Sequence, residues 1–414
     1  MTELSLSDLT RVFARIGVLS FGGPAAQIAL MHRELVEERS WLDEEKFLSA
    51  LSFCMLLPGP EAMQLATYAG WRLKGVLGGL IAGLLFVIPG ALVVLALSLG
   101  YALFGSVPLV EALFLGVKAT VIVIVIEALL RIAKKALQGT AHWILAALSF
   151  IGIFFFDLPF PLIVLLAGLF GYFTATGDDT APPSGLRLPI PTIATWLAIW
   201  WAPVVVLWAS GATFLTQVGV FFSKLAVVTF GGAYAVLAYM TQEVVEDKGW
   251  LSTAQMVDGL GLAETTPGPL ILVTEFVGFQ AGFGIGGVAL AIAAAAVALW
   301  VTFVPCFLWI FVGAPFIDWL AHWPRLSSAL RAITAAVVGV ILNLSVWFGI
   351  HVFFTNVTER QFGPLRAPVP ELSSVEPTAI GLAIVAAYLI LRLHQGLPIV
   401  LGLCAAAAAA LSMI

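Results

Sequence analysis

The chain has 414 residues, 61% of them hydrophobic and only 10% charged, with a net charge of −5 and a mean hydropathy of +1.05. A soluble domain carries roughly 25% charged residues, so a soluble enzyme or a nucleic-acid binder is excluded and a polytopic membrane protein is implied. Apolar runs of about 20 residues, the length that spans a bilayer, tile most of it; Val76–Leu99 holds no charged residue.

The first residues, "MTELSLSDLTRVFARIG", lack a basic segment followed by a compact apolar stretch and a small-residue cleavage site. The first helix is therefore expected to act as its own signal. Breaks between apolar runs fall near 32–46, 70–75, 102–109, 131–140, 156–160 and 176–191, then near 209–213, 241–252, 279–284, 314–327, 355–376 and 393–397. This predicts an all-α protein of about thirteen spanning helices. Arg11 and Arg15, Arg72 and Lys74, and Arg131, Lys134 and Lys135 fall on one side if the helices alternate. That side is expected to be cytoplasmic, which puts the N-terminus inside and the C-terminus outside; Arg360 and Arg366 run against the assignment. The Pro-rich stretch 176–191 reads as a linker between 1–175 and 192–414. Cys54, Cys306 and Cys404 stand singly in apolar segments and suggest no metal or redox pair.

A shift of 209 lays Phe21–Pro60 over Phe230–Pro269 without a gap, with 15 of 40 positions identical. "FGGPAAQIALMHRELVEERSWL" matches "FGGAYAVLAYMTQEVVEDKGWL", and PGP recurs at Pro58–Pro60 and Pro267–Pro269. Charge is kept as well: Glu34 over Glu243, Glu37 over Glu246, Arg39 over Lys248, and Arg15 over Lys224. By the helix count the two copies enter the membrane in opposite senses. Inverted repeats are a common build for secondary transporters, and Gly/Pro interruptions at matching places point to the substrate site.

Gly22, Gly23 and Pro24, Pro58–Pro60, Gly231 and Gly232, and Pro267–Pro269 are therefore the expected helix breaks. A broken helix leaves free N–H groups at one new end and free carbonyls at the other, which lipid does not tolerate. The N–H end suits an anion; plain kinks or close helix packing are the bland alternative. Gln27, Gln64, Thr265 and Thr266 are neutral polar groups suited to hydrogen-bond an oxyanion, or to satisfy freed backbone. Arg15 and Lys224 read either as a pair of cations that offset a divalent anion or as snorkelling anchors. Lys118 and Arg331 form a second candidate pair. Glu61, Glu127, Glu264 and Glu275 are candidate proton carriers. Trp41 and Trp250 read as anchors at the headgroup level. His32 and the other histidines cluster nowhere, and the chain has no phosphate-loop motif and no HExxH.

The combination of "FARIGVLSFGGPAAQIALMHRELVEERSWL", "LLPGPEAMQLATYAGWRLKG" and "TFGGAYAVLAYM…GWL…TTPGP" resembles the chromate ion transporter family in its long, two-domain form. The resemblance implies export of chromate, with sulfate as its structural analogue, across the bacterial plasma membrane. Family motif residues carry over to Phe21–Pro24, Trp41, Pro58–Pro60, Phe230–Gly232, Trp250 and Pro267–Pro269; Ala233 departs from the pattern, standing where the first half has Pro24. The expected protein is a secondary transporter and not an enzyme. It has no cofactor, and its partners are the lipid bilayer and an oxyanion; homodimerisation is left open. A proton-coupled sulfate-type carrier or exchanger is the runner-up, and a membrane-embedded enzyme the rival from another class.

Overall fold

The computed structural model describes residues 4–21, 23–176, 189–230, 233–317, 323–363 and 365–413. Gly22, Gly231, Gly232 and most of the expected linker lie outside them.

The first half opens with α1 (Leu6–Leu19), capped by Ser5, whose Oγ accepts from Asp8 N at 3.0 Å. Leu9, Val12, Phe13 and Ile16 form its buried stripe. Then come α2 (Gly23–His32), a π-turn over Arg33–Glu37, α3 (Glu44–Cys54), α4 (Glu61–Phe104), α5 (Pro108–Ala136), α6 (Thr140–Phe156) and α7 (Phe160–Phe173). The second half repeats the order: α8 (Ile190–Ala209), α9 (Thr213–Val228), α10 (Ala233–Thr241), a π-turn over Gln242–Asp247, α11 (Thr253–Thr265) and α12 (Val273–Gly313). Helices Pro324–Phe353, Pro377–Ala387 and Leu397–Leu411 follow.

Among the described residues five helical stretches are long and apolar enough to cross a membrane: Glu61–Phe104, Pro108–Ala136, Ile190–Ala209, Leu270–Phe316 and Pro324–Phe353. Shorter apolar helices accompany them. Two of the five are hairpins. A Cβ on Gly70 would lie 2.2 Å from Gly78 O, although eight residues of straight helix span about 12 Å. The chain turns back at Lys74–Gly75, with φ/ψ of −140/27 and 65/−159. In α12 the turn is at Gly286–Gly287, with −146/21 and 69/−162. The break expected at 279–284 therefore lies a few residues later.

The all-helical expectation misses one feature. Val357–Phe362 and Leu365–Pro370 pair antiparallel, Val357 opposite Pro370 and Phe362 opposite Leu365. In the sequence this short hairpin is hidden in a polar break between two apolar runs.

Packing divides the chain into two compact units, each drawing on both sequence halves: 1–98, 175–233 and 266–327 in the first, and 99–174, 234–265 and 328–414 in the second. In the first unit α8 and α9 pack on the long α12. In the second, α11 and the two C-terminal helices pack on α5. A Cβ at Gly116 would lie 2.2 Å from Cys404 O, and Ala119, Val123, Ala386, Val400 and Ala408 complete that apolar core.

Candidate functional site: the crossed helix breaks

The helices that lead into the two FGG segments end in the same way. Ser20 (φ/ψ −77/69) and Thr229 (−75/79) each centre an inverse γ-turn, closed by Phe21 N to Leu19 O and Phe230 N to Val228 O, both at 2.9 Å. Each hydroxyl bonds back along its helix, Ser20 Oγ to Ile16 O at 2.6 Å and Thr229 Oγ1 to Leu225 O at 2.5 Å. Pro24 then fits in the first turn of α2, where a missing N–H costs nothing.

The PGP segments meet these breaks crosswise within the first unit. Gly59 N donates to Thr229 O at 2.9 Å, and Gly268 N donates to Ser20 O at 2.8 Å. Each repeat thus brings its PGP to the other repeat's FGG turn. Pro58, Pro60, Pro267 and Pro269 have no N–H to give, so the glycine amide is the donor that PGP has. Gly59 and Gly268 hold φ of +113 and +89, where a side chain is strained.

This corrects one expectation. The glycine amides of PGP are not open to an anion, because they brace the crossing. The first-turn amides without an intrahelical partner are those of α4, at Ala62 and Met63, and of Leu270 and Ile271 before α12, whereas Leu272 N donates to Pro269 O at 2.9 Å. Gln27 and Gln64 are drawn in as well, but through carbonyls. Gln27 Nε2 donates to Gly268 O at 2.7 Å and, at 3.4 Å, to Ser20 O; Gln64 Nε2 donates to Pro58 O at 2.7 Å. Thr266 is buried beside PGP, while Thr265 Oγ1 bonds Leu262 O at 2.8 Å and so closes the last turn of α11. Glu61 opens α4, and Glu275 is buried in the first turn of α12 with Oε2 unpartnered among the described residues.

The expected cations stand on the helices that lead into the breaks. Arg15 is half exposed, with Nε 3.5 Å from Oε1 of the fully buried Glu34, whose Oε2 accepts from Arg39 at 2.6 Å. Lys224 is exposed on α9, on the face away from Phe222 and Leu225. The conserved charge pattern of the repeat has a structural cause here: Arg39–Glu34 recurs as Lys248–Glu243 at 3.3 Å. Arg39 lies 5.9 Å from the Trp41 ring centre, and Lys248 lies 5.6 Å from that of Trp250. Both tryptophans therefore lock the π-turns, beyond any anchoring role.

In the second unit Lys118 lies on α5 and Arg331 is exposed on Pro324–Phe353. Lys118 Nζ is 3.0 Å from Asp258 Oδ1, and Tyr101 Oη donates to Asp258 Oδ2 at 2.7 Å. Glu264 is buried and accepts from Tyr234 Oη at 2.9 Å. Glu127 forms an exposed pair with Arg131 at 3.2 Å. Asp258, Tyr101 and Tyr234 are residues that the sequence reading passed over. The signal for Asp258 was present: a lone charge in the apolar run "MVDGLGLAE". A cavity of about 100 Å³ in the same unit is lined by Asp157, Gln242, Glu246, His351, Glu359 and Arg366. Asp157 accepts from Gln242 and from Arg366. Burial, with Asp157 and Glu359 nearby, pushes the Glu246 carboxyl up to about 7.

Comparison with known proteins agrees with this doubled build. The sequence model of the chromate transporter family matches residues 7–172 and again 216–411. The chain is 34% identical to the chromate transport protein of Pseudomonas aeruginosa, over 82% of this chain and 80% of that protein. It is 32% identical to the probable chromate transport protein of Synechococcus elongatus, over 83% and 85% respectively. The uncharacterized transporter YwrB of Bacillus subtilis is 29% identical over 40% of this chain and 86% of its own length, so it corresponds to one half. No solved structure matches significantly.

Proposed function

The chain belongs to the chromate transporter family, and on that premise we propose that it is a secondary transporter that exports chromate from the cytoplasm, with the crossed breaks as its substrate site. The observation that carries the reading is the reciprocal pair Gly59–Thr229 and Gly268–Ser20. Four interruptions that separate helices would favour only as packing defects are instead joined, two from each repeat. First-turn amides of α4 and the turn before α12 supply donors to an oxyanion there.

Inverted repeats, about thirteen spans, a cytoplasmic N-terminus and a place in the bacterial inner membrane belong to the same reading. Exporting an anion from an inside-negative cell is electrically downhill, roughly 2.3 kcal/mol per charge per 100 mV, so coupling needs few protons. Sulfate is the natural competitor by shape. The charged groups Lys118, Glu264 and Glu275 are the coupling candidates, and Arg15 serves the fold through Glu34. The test is uptake of labelled chromate and sulfate into inverted vesicles, with and without a proton gradient. Chromate accumulation that exceeds that of vesicles lacking the protein supports the reading; equal accumulation refutes it.

A further inference from the structure

Two buried acceptors at the breaks have no donor. Gln27 and Gln64 are 1% and 0% exposed, and neither Oε1 has a hydrogen-bond partner among the described residues. Their orientation is forced by chemistry. A backbone carbonyl only accepts, so the amide nitrogen must face Gly268 O in one case and Pro58 O in the other. Turning either amide over would set oxygen against oxygen. Each crossing therefore holds one side-chain oxygen, buried and waiting for a hydrogen.

Two acidic side chains and two thiols share this unit. Glu61 and Glu275 lie in the first turns of α4 and α12, and Glu275 is 1% exposed. The thiols of Cys54 and Cys306 are buried in this unit, and Cys306 Sγ stands 3.2 Å from where a Gly59 Cβ would be. Arg15 is engaged at Glu34 and Lys224 is exposed. A fully ionised tetrahedral oxyanion brings two charges and only acceptors. Against two amide oxygens that can only accept it is badly matched, since neither side brings a hydrogen. A singly protonated one brings one donor and three acceptors. Its burial is also far easier, since the cost of desolvating an ion grows steeply with its charge.

We propose that the breaks bind the oxyanion in its singly protonated, monoanionic form, its hydroxyl donating to Gln27 Oε1 or Gln64 Oε1 and its other oxygens accepting from the first-turn amides of α4. This rests on the reading of the breaks as the substrate site.

The experiment is binding of chromate and of sulfate to the purified full-length protein, from mildly acid to mildly alkaline pH. Chromate loses its last proton within that range, while sulfate is a dianion throughout. The chromate dissociation constant is expected to rise about tenfold per pH unit above that ionisation. Sulfate is expected to bind weakly and without pH dependence. The double variant Gln27→Leu/Gln64→Leu should weaken chromate at acid pH by about tenfold and leave sulfate unchanged, while each single variant loses no more than this. If these variants misfold, the two wild-type pH series decide alone. Chromate affinity that is flat or rises with pH overturns the proposal. So does sulfate following the chromate profile, which would mark titration of Glu61 or Glu275 instead of the ligand. Binding of neither anion at any pH refutes the site itself, and this proposal with it.

Discussion

Gly59 and Gly268 combine two demands in one residue: a positive φ and an N–H aimed at the opposite repeat. A Cβ on Gly59 would also lie 2.9 Å from Gln64 Nε2, and one on Gly268 would lie 2.9 Å from Leu272 Cδ1. Gly59→Ala and Gly268→Ala are each expected to cost about 1–3 kcal/mol and to abolish transport, read by thermal unfolding in detergent and vesicle uptake. Arg15→Gln, in contrast, removes a half-exposed partner of Glu34. It should cost less than about 1 kcal/mol and leave chromate affinity unchanged; a selective loss of affinity would restore Arg15 to the site. Glu246 gives a pH signature. Its folded carboxyl titrates at about 7, above its ordinary value of 4.5. The folded state thus holds a proton that the unfolded chain releases, so the contribution of this carboxyl to stability is fully present below 4.5 and is lost as pH rises toward 7. Glu246→Gln should remove this part of the decline, seen as a shrinking wild-type advantage across that window.

At the scale of elements, the repeat is carried by turns more than by helices. The γ-turns at Ser20 and Thr229 and the hairpin turns at Gly75 and Gly287 agree in dihedral angle within about ten degrees. The hairpin arms are held close by small residues, as lipid-embedded helices require. A Cβ on Gly282 would meet Leu290 O at 2.7 Å, and one on Gly70 would meet Gly78 O at 2.2 Å. Gly70→Leu and Gly282→Leu should therefore wedge the arms apart and destabilise by about 1–3 kcal/mol or more, measured by thermal unfolding. The positions of these turns were legible because Gly and Pro disrupt an apolar run visibly. The reversal at Gly286–Gly287 was placed slightly early because "FQAGFGIGG" offers four glycines, and only packing chooses among them. The β-hairpin was not legible, since six-residue strands gain their stability from cross-strand partners that local sequence does not announce.

At the scale of the whole molecule, each compact unit takes segments from both sequence halves. Neither half can then bury its core alone. Fragments 1–175 and 192–414 are expected to restore chromate transport when expressed together and to be degraded when expressed singly; an active single half would contradict this. Cysteines placed in 32–46 and 241–252, on a background without native thiols, should label from opposite faces. Labelling from the same face would remove the inverted arrangement. Composition, the Gly/Pro interruptions and the duplicated charge pattern determined by themselves that this is a doubled, many-helix membrane protein with special breaks, because apolar length, missing N–H groups and positive φ are local properties. Which amide each break uses was decided only by the tertiary structure. The Gly59 and Gly268 N–H groups go to carbonyls about 170 and 250 residues away, Arg15 goes to Glu34, and Lys118 goes to Asp258. A hydrogen bond or ion pair needs a partner within a few ångströms, and only folding brings together groups that the sequence keeps so far apart.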